Sequence, residues 1–347
     1  MLKVNNLHIE ALLGLSPSVS LKIVKDDSSD KIKRLARSVG IESKYVCKPG
    51  QTFTDLAVEA TNLLLKKLNL EPSDVDGLVL VTQSPDYIIP GSAVLIQDRC
   101  NFPKTTLAYD INLGCSGFPY GLFAGYGHLL AGMKRVFVVV GDQSYAGDSH
   151  DEGHSVLFGD SCTVTSIVLK EKQEKQLISF GTDGSGYPTL YIPHGGRRRP
   201  IDNSSFEHVI DHTGVSRCGT DVVLDGPKIL SFSVATAPAE LNNMLGELNL
   251  LVDDIDYFVL HQANKMINDT LRLKMKGTTE QFPESLSDLG NTSSASIPMT
   301  MTAKLSGKWN QKDKKIIMCG FGIGLSWATM SYISDGTELS FYETSSV

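Results

Sequence analysis

Two kinds of hydrophobic pattern alternate along the chain. Segments with apolar residues at helical spacing, such as Thr54 to Lys67 and Thr236 to Leu245, are followed by short runs of leucine and β-branched residues, such as Gly77 to Thr82 and Tyr257 to His261. Strands that are apolar along their length and separated by helices are typical of parallel sheets covered on both faces. The pattern therefore predicts an α/β fold.

The order of these elements occurs twice. At an offset of 180 residues, Leu68-Asn69-Leu70 is repeated as Leu248-Asn249-Leu250, and the residues that follow repeat as well. A chain of 347 residues is also long enough for about two domains. We predict two pseudo-repeated halves, residues 1–170 and 171–347, with the least regular region running from about Lys170 to Lys228.

One segment, Ser116 to Leu130, is apolar on almost every side and carries Gly117, Gly121 and Gly125 one helical turn apart. A helix that is apolar all round is buried all round. Interior glycines each cost roughly 1 kcal/mol relative to alanine, so their presence indicates that neighbouring backbones pass close by. We predict a central helix between two sheets, which gives a five-layer αβαβα arrangement.

The charge and cysteine content narrow the class of protein. Acidic residues outnumber basic ones by 39 to 32, and the longest run of like charge is Arg197 to Arg199, so we expect no nucleic-acid partner. No signal-peptide pattern opens the chain, and the longest uncharged stretch, Ile111 to Met133, is too rich in glycine and polar residues for a membrane span. The six cysteines form no Cys-x-x-Cys pair, which argues against a zinc ribbon. We expect a cytoplasmic protein with reduced thiols, no membrane contact and no metal.

Cys115 is the first candidate for chemistry, because it comes immediately before the predicted central helix. The N–H groups and the positive dipole end of a helix start lower the pKa of a nearby thiol, which favours the nucleophilic thiolate. Gly114 and Gly117 beside it would let a substrate approach the backbone. The alternative is that Cys115 is simply a small buried hydrophobic residue.

Three further features are candidates for the chemistry, and the repeat would bring one of them, Asn291, near Cys115. His261 ends a buried strand at its carboxyl end, where open α/β sheets place their sites. Asn291 lies in a polar run before a second buried helix, at the repeat position of Ile111. Gly320 to Trp327 contains spaced glycines that can present backbone N–H donors. Each also has a structural explanation: a core histidine, a helix N-cap or a tight turn between strands.

These cysteine, histidine, asparagine and glycine-loop motifs together resemble β-ketoacyl-acyl-carrier-protein synthase III, a family of the thiolase superfamily. Asp110 to Phe118 resembles its Asp-x-x-x-x-Cys-x-Gly-Phe element, His261 to Asn264 is identical to its His-Gln-Ala-Asn, and Gly290 to Pro298 matches its Gly-Asn-Thr-Ser-x-Ala-Ser-x-Pro. Phe158 to Asp160 and Gly322 to Trp327 agree more weakly. The resemblance covers nearly the whole chain and implies a thiolase-like fold.

The resemblance implies a two-step acyl transfer that needs no cofactor and no metal. Cys115 takes an acyl group from a thioester, and the backbone N–H groups of Cys115 and Gly324 stabilise the oxyanion. His261 and Asn291 then hold the carbonyl oxygen of a malonyl thioester while carbon dioxide leaves, and the resulting enolate attacks the acyl group. The product would be a β-ketoacyl thioester of fatty-acid or other lipid metabolism.

The resemblance also implies partners. It predicts acyl-coenzyme A or acyl-carrier-protein thioesters as donors, substrate contacts at Asn264, and a homodimer in which Ile89 crosses to line the acyl tunnel of the other subunit. The family's adenine clamp, a Trp and an Arg, corresponds here to Arg34 and Glu152. Because both clamp residues differ, we expect a carrier protein for at least one substrate and a specialised pathway.

Other readings of the same motifs remain open. Some relatives transfer acyl groups to an oxygen or nitrogen nucleophile without decarboxylation. Inactive subunits of heteromeric synthases share the fold but usually lack the cysteine, which is present here as Cys115. A thiolase would need a second catalytic cysteine, and Cys319 lies one residue too early for that role.

Overall fold

The fold is described from a computed structural model, which covers residues 1–144, 152–171, 176–308 and 313–344. Its helices are α1 (Asp30–Val39), α2 (Phe53–Leu68), α3 (Ser92–Arg99), α4 (Gly117–Leu130), α5 (Glu152–Leu157), α6 (Gly226–Leu248), α7 (Lys265–Met275), α8 (Leu286–Leu289) and α9 (Ser296–Leu305).

Its strands are β1 (Leu2–Val4), β2 (Leu7–Ser16), β3 (Val19–Lys22), β4 (Ser43–Val46), β5 (Gly77–Val81), β6 (Leu107–Ile111), β7 (Val136–Asp142), β8 (Ser161–Leu169), β9 (Gln176–Thr182), β10 (Leu190–Tyr191), β11 (Val209–Ile210), β12 (Ser216–Arg217), β13 (Val223–Leu224), β14 (Tyr257–Leu260), β15 (Lys315–Gly322), β16 (Ser326–Ile333) and β17 (Glu338–Glu343).

Two large sheets carry the fold. The first has the order β17-β2-β8-β7-β5-β6 and the second the order β1-β9-β16-β15-β14. The predicted parallel pairing holds where β5 joins β6 and β7 and where β14 joins β15. Strand β17 also pairs parallel with β2. The other described pairings are antiparallel, as between β15 and β16, because these two strands are joined by a tight turn that leaves no room for a crossover helix.

The central layer consists of α4 and α9. Helix α4 packs on β5, β7 and β8 of the first sheet and on β15 and β16 of the second, while α9 packs on β2, β8, β14 and β15. Helix α2 covers the outer face of the first sheet and α6 the outer face of the second. The predicted α/β, five-layer arrangement is confirmed.

The glycines of α4 explain how this helix fits between the sheets. A Cβ atom added to Gly117 would lie 2.5 Å from a methyl of Val81, and one added to Gly125 would lie 2.6 Å from Ile167. At Gly121 the Cβ would meet both Val81 and Val138 within 3 Å. The sheet side chains therefore occupy the space that larger residues on α4 would need, as the sequence indicated.

The repeat is visible in matching details of the two sheets. Helices α2 and α6 end at Asn69 and Asn249, both in the left-handed conformation with φ of 51° and 55°. Asp76 accepts the backbone N–H of Lys134, and Asp256 accepts the backbone N–H of Lys315. Helix α6 begins well before the predicted Thr236, because Asp225 caps it by accepting from the backbone N–H of Lys228.

The two halves exchange strands at their outer edges. The N-terminal strand β1 pairs with β9 in the second sheet, and β17, from the C-terminal half, pairs with β2 in the first. The division into residues 1–170 and 171–347 therefore remains a prediction about the repeat. In the described part of the chain, no helix combines the length and apolar character required to cross a bilayer.

Candidate active site

A cavity of about 960 Å³ opens at the carboxyl ends of the strands. Cys115, Asp142, Ser293 and Gly324 line it together, so it joins both halves of the repeat. Its walls carry apolar residues (Phe158, Tyr187, Leu190, Tyr191, Ile192, Val222) and polar residues (Thr52, Gln83, Asp86, Asn112, Gln143). A cavity of this volume accommodates a ligand of drug or cofactor size.

Cys115 lies directly before α4 and is 7% exposed. The loop after β15 packs against it, since a Cβ on Gly322 would lie 2.7 Å from its Sγ, and Gly322 has φ of 152°, a value that L side chains rarely adopt. The N–H of Ile323 bonds to the sulfur. This loop therefore brings backbone donors to the thiol.

The charge state of Cys115 differs from the sequence expectation. The pKa of its thiol is raised to about 11: burial is the largest cause, the hydrogen bond from the backbone of Ile323 opposes it, and the charge of Asp142 adds a smaller increase. The sequence predicted that the helix start would lower the pKa of this thiol. Burial has the larger effect, because the loss of water around the thiolate destabilises it more than the nearby hydrogen-bond donors stabilise it. In the unliganded protein Cys115 is a neutral thiol.

His261 follows β14 and is 2% exposed. Its backbone N–H donates to the carbonyl of Cys319 (2.9 Å), and its Nδ1 lies 2.6 Å from Oγ of Ser296 at the start of α9. Burial lowers the pKa of His261 to about 3, with a smaller opposing effect of a hydrogen bond with the backbone of Ser293. The imidazole is therefore neutral at physiological pH and carries one N–H.

Asn291 is fixed by hydrogen bonds on both sides. Its backbone N–H donates to the carbonyl of Leu157 (2.9 Å), and its carbonyl accepts from the N–H of Gly159 (3.0 Å). Its side-chain oxygen accepts from the N–H of Ser293 (2.9 Å), and Nδ2 donates to the carbonyl of Ala263 (3.2 Å). These contacts set the orientation of the amide and leave one N–H of Nδ2 for a ligand.

The turn from Ser293 to Ser296 connects these residues to the cavity. His261 and Asn291 both bond to it, and Ser293 itself lines the cavity. His261 and Asn291 are not among the described residues that line the cavity, and Ser293 is the residue of this turn that reaches it beside Cys115. The catalytic roles of the three residues therefore stay predictions. The sequence marked the polar run that contains this turn, but not its contacts with His261, because these join residues far apart along the chain.

Ile323 and Asp142 are two further residues that sequence reasoning missed. The backbone of Ile323 bonds to the thiol of Cys115, whereas Gly324, the next residue, lines the cavity, and its role as oxyanion donor stays a prediction. Asp142 ends β7 beside the thiol. The only available signal for Asp142 was its place at the carboxyl end of a buried strand.

The residues predicted to contact substrate, Ile89 and Asn264, do not line the cavity in the described part of the chain. Ile89 is 83% exposed and does not line the cavity within the described part of one chain. Asn264 caps α7 by accepting from the N–H of Ile267 (2.9 Å), which is a structural role. Arg34 is exposed on α1, and the side chain of Glu152 lies outside the described residues.

Comparisons with known proteins agree along the whole chain. Two family models match, the 3-oxoacyl-[acyl-carrier-protein] synthase III C-terminal model at residues 245–332 and the 3-oxoacyl-[acyl-carrier-protein] synthase III model at residues 109–186. The chain is 31% identical over 306 residues to the β-ketoacyl-[acyl-carrier-protein] synthase III of Caldanaerobacter subterraneus subsp. tengcongensis, which covers 87% of this chain and 89% of that protein.

A second relative and a solved structure extend the agreement. The β-ketoacyl-[acyl-carrier-protein] synthase III of Fusobacterium nucleatum is 30% identical, with 87% of this chain and 90% of that protein covered. The crystal structure of 3-oxoacyl-(acyl-carrier protein) synthase from Burkholderia xenovorans LB400 superposes with a TM-score of 0.92 at 29% identity, over 99% of this chain and 98% of that one. Fold, motifs and relatives together show that the chain belongs to the β-ketoacyl-acyl-carrier-protein synthase III family of condensing enzymes.

Proposed function

We propose that the chain joins an acyl group to a malonyl thioester by decarboxylative Claisen condensation. The observation that carries the proposal is the shared cavity, in which the thiol of Cys115 meets the turn that holds His261 and Asn291. A nucleophile and two neutral hydrogen-bond donors are the groups that the two steps require.

In the loading step, the sulfur of Cys115 attacks the carbonyl carbon of an acyl thioester. A new C–S bond forms, the old C–S bond breaks, and the thiol proton leaves with the thiol of the carrier. Backbone N–H groups stabilise the oxyanion, with Cys115 as one donor. Gly324, which lines the cavity with Cys115, is the second.

In the extension step, His261 and Asn291 donate to the carbonyl oxygen of the malonyl thioester. The carboxylate leaves as carbon dioxide, its bonding electrons form an enolate, and the enolate carbon attacks the acyl carbon. The C–S bond to Cys115 then breaks, and the sulfur regains a proton. For His261 this role requires the hydrogen on Nε2, and the hydroxyl of Ser296, which donates to the carbonyl of Ser293 (2.8 Å), would then donate to Nδ1 instead.

The loading step is tested by intact-mass analysis after incubation with a panel of acyl thioesters. We expect one adduct that maps to Cys115, no adduct in Cys115→Ala, and a normal adduct in the matched control Cys218→Ala, a half-buried cysteine outside the cavity. An adduct that maps to another cysteine would overturn the assignment of the nucleophile.

The extension step is tested with His261→Ala and Asn291→Ala. Both variants should still acquire the acyl group, at least slowly, yet lose release of carbon dioxide from a malonyl thioester by about 10²–10³-fold, the usual effect of a lost oxyanion donor. Normal condensation in either variant would refute its role. Acyl transfer to an alcohol or amine without release of carbon dioxide would instead favour the non-decarboxylating relatives.

We further propose that at least one substrate arrives on a carrier protein, in a specialised pathway. Arg34 stands where the family has an aromatic clamp for adenine, and this position is exposed on α1. A pantetheine arm needs the cavity but no adenine pocket. The measurement is kcat/KM for the same acyl and malonyl groups on coenzyme A and on a carrier protein, and a preference for coenzyme A with both groups would contradict the proposal.

A further inference from the structure

One carboxylate at the cavity accepts hydrogen bonds from both halves of the chain. Asp142 is 7% exposed. Its Oδ1 accepts from the backbone N–H of Gln83 (2.6 Å) and the hydroxyls of Thr82 (3.2 Å) and Ser84 (3.3 Å). Its Oδ2 accepts from Ser294, through the hydroxyl (2.6 Å) and the backbone N–H (3.3 Å). The side chain therefore links the loop after β5 to the Ser293–Ser296 turn.

These contacts reach the two donors of the extension step. Ser294 lies in the turn whose backbone holds the amide oxygen of Asn291 and whose hydroxyl at Ser296 contacts His261. Burial raises the pKa of Asp142, whereas the hydrogen bonds from Ser294 and from the backbone N–H of Gln83 lower it and favour the ionised form. Hydrogen bonds to an ionised acceptor are about twice as strong as those between neutral groups. In its ionised form Asp142 thus anchors this turn to the half of the chain that carries Cys115.

The same carboxylate also acts on the nucleophile. Asp142 lines the cavity together with Cys115, and its charge raises the pKa of that thiol. The other titratable side chains that line the cavity, within the described residues, are Asp86, His154, Tyr187 and Tyr191, and the buried His261 is neutral. Among these groups, Asp142 is the one whose charge perturbs the Cys115 thiol.

We propose that Asp142 is a positioning residue with two separable effects: its hydrogen bonds to Ser294 hold the turn of His261 and Asn291 in place for extension, and its negative charge disfavours the thiolate of Cys115. The extension part rests on the proposed function, whereas the thiolate part depends only on the geometry of the cavity. Neither effect requires Asp142 to touch a substrate.

The charge effect is measured by alkylation of Cys115 with iodoacetamide as a function of pH, which needs no substrate. In Asp142→Asn the midpoint of the rate profile should move to lower pH, and the rate at fixed pH below it should rise several-fold, because removal of a like charge favours the thiolate. Ser294→Ala keeps the carboxylate and should leave this profile unchanged. An unchanged profile in Asp142→Asn would overturn the charge effect.

The positioning effect is measured by release of carbon dioxide from a malonyl thioester by acyl-loaded protein. Ser294→Ala and Asp142→Asn should both lower kcat by on the order of tenfold or more, as expected for a lost hydrogen bond to a charged group, with acyl loading retained. The matched control Thr302→Val removes a buried hydroxyl of α9 that donates to the carbonyls of Pro298 and Met299 rather than to Asp142 or the Ser293–Ser296 turn, and should condense normally.

The outcomes separate this proposal from the proposed function. An unchanged kcat in Ser294→Ala refutes the positioning role, and so does a kcat loss in Thr302→Val equal to that in Ser294→Ala. If wild-type protein loads no acyl group on Cys115, the proposed function fails while the alkylation profile still tests the charge effect. If Asp142→Asn does not fold, Asp142→Ser, which also removes the charge, takes its place in the alkylation measurement.

Discussion

Individual residues of the site were predictable only where a local pattern marked them. Cys115 precedes an all-apolar helix, and His261 ends a buried strand, so each has a signal in its own neighbourhood. Ile323 and Asp142 have no comparable signal, because their roles come from contacts with Cys115 and Ser294, which lie far away in the sequence. The thiol pKa was missed for a related reason: burial at a single position depends on all the layers that surround it.

His261 should remain neutral across the physiological range. Burial lowers its pKa to about 3, so protonation would occur only well below pH 5, and the neutral form would persist as pH rises from 5 to 8. NMR of protein with labelled histidine, assigned with His261→Asn, should show one histidine that does not titrate between pH 5 and 8, unlike exposed histidines in the same spectrum. A His261 signal that titrates near pH 6.5 would contradict this expectation.

Among the elements, the central helix was the best predicted because its signal is continuous. The apolar segment proposed from Ser116 to Leu130 is observed as α4, Gly117–Leu130. Helix α6 was predicted too short, since its first turn contains Gly226 and Pro227, which are poor helix formers, and its start depends on the Asp225 cap. Glycine spacing on α4 was informative because it reports tight packing on a sheet, which residue hydrophobicity alone does not describe.

Two glycines of α4 provide a matched test of this packing. Gly121→Ala would place a Cβ atom 2.8 Å from Val81 and 2.9 Å from Val138, whereas Gly127 faces open space with no atom within 4 Å. Gly121→Ala should lower the free energy of unfolding by about 1–3 kcal/mol through overpacking. Gly127→Ala should raise it by up to about 1 kcal/mol through helix propensity. Urea denaturation measures both, and equal effects would contradict the close packing of α4.

For the whole molecule, the layered architecture could be predicted and the strand exchange could not. The internal repeat indicated two sheets and a shared middle layer, as observed. Strand β1 lies in the second sheet and β17 in the first. Comparison of the two repeats could not predict this placement, because both strands lie outside the repeated segment. The site depends on the shared layer, since α4 and α9 begin on either side of the cavity.

A homodimer is the expected assembly. The segment Tyr87, Ile88, Ile89 is 59%, 90% and 83% exposed, an apolar loop that one chain does not cover. Light scattering at micromolar concentration should report a dimer, and a monomer would refute this prediction. If the dimer forms, Ile89→Trp should shorten the longest acyl chain that is accepted, by filling part of the tunnel, while Val94→Ala, on α3 nearby, should leave chain length unchanged.

The exchange of edge strands has a consequence for the order in which the protein is made. Chains are synthesised from the N-terminus, so β2, whose residues are almost all buried in the finished fold, is made long before its partner β17. The edge of β2 that pairs with β17, Glu338–Glu343, stays unpaired until that strand has been synthesised. An open, apolar strand edge is a template for aggregation. The nascent chain is therefore exposed to aggregation until β17 is complete, and protection of β2 by a chaperone during that time would favour correct assembly.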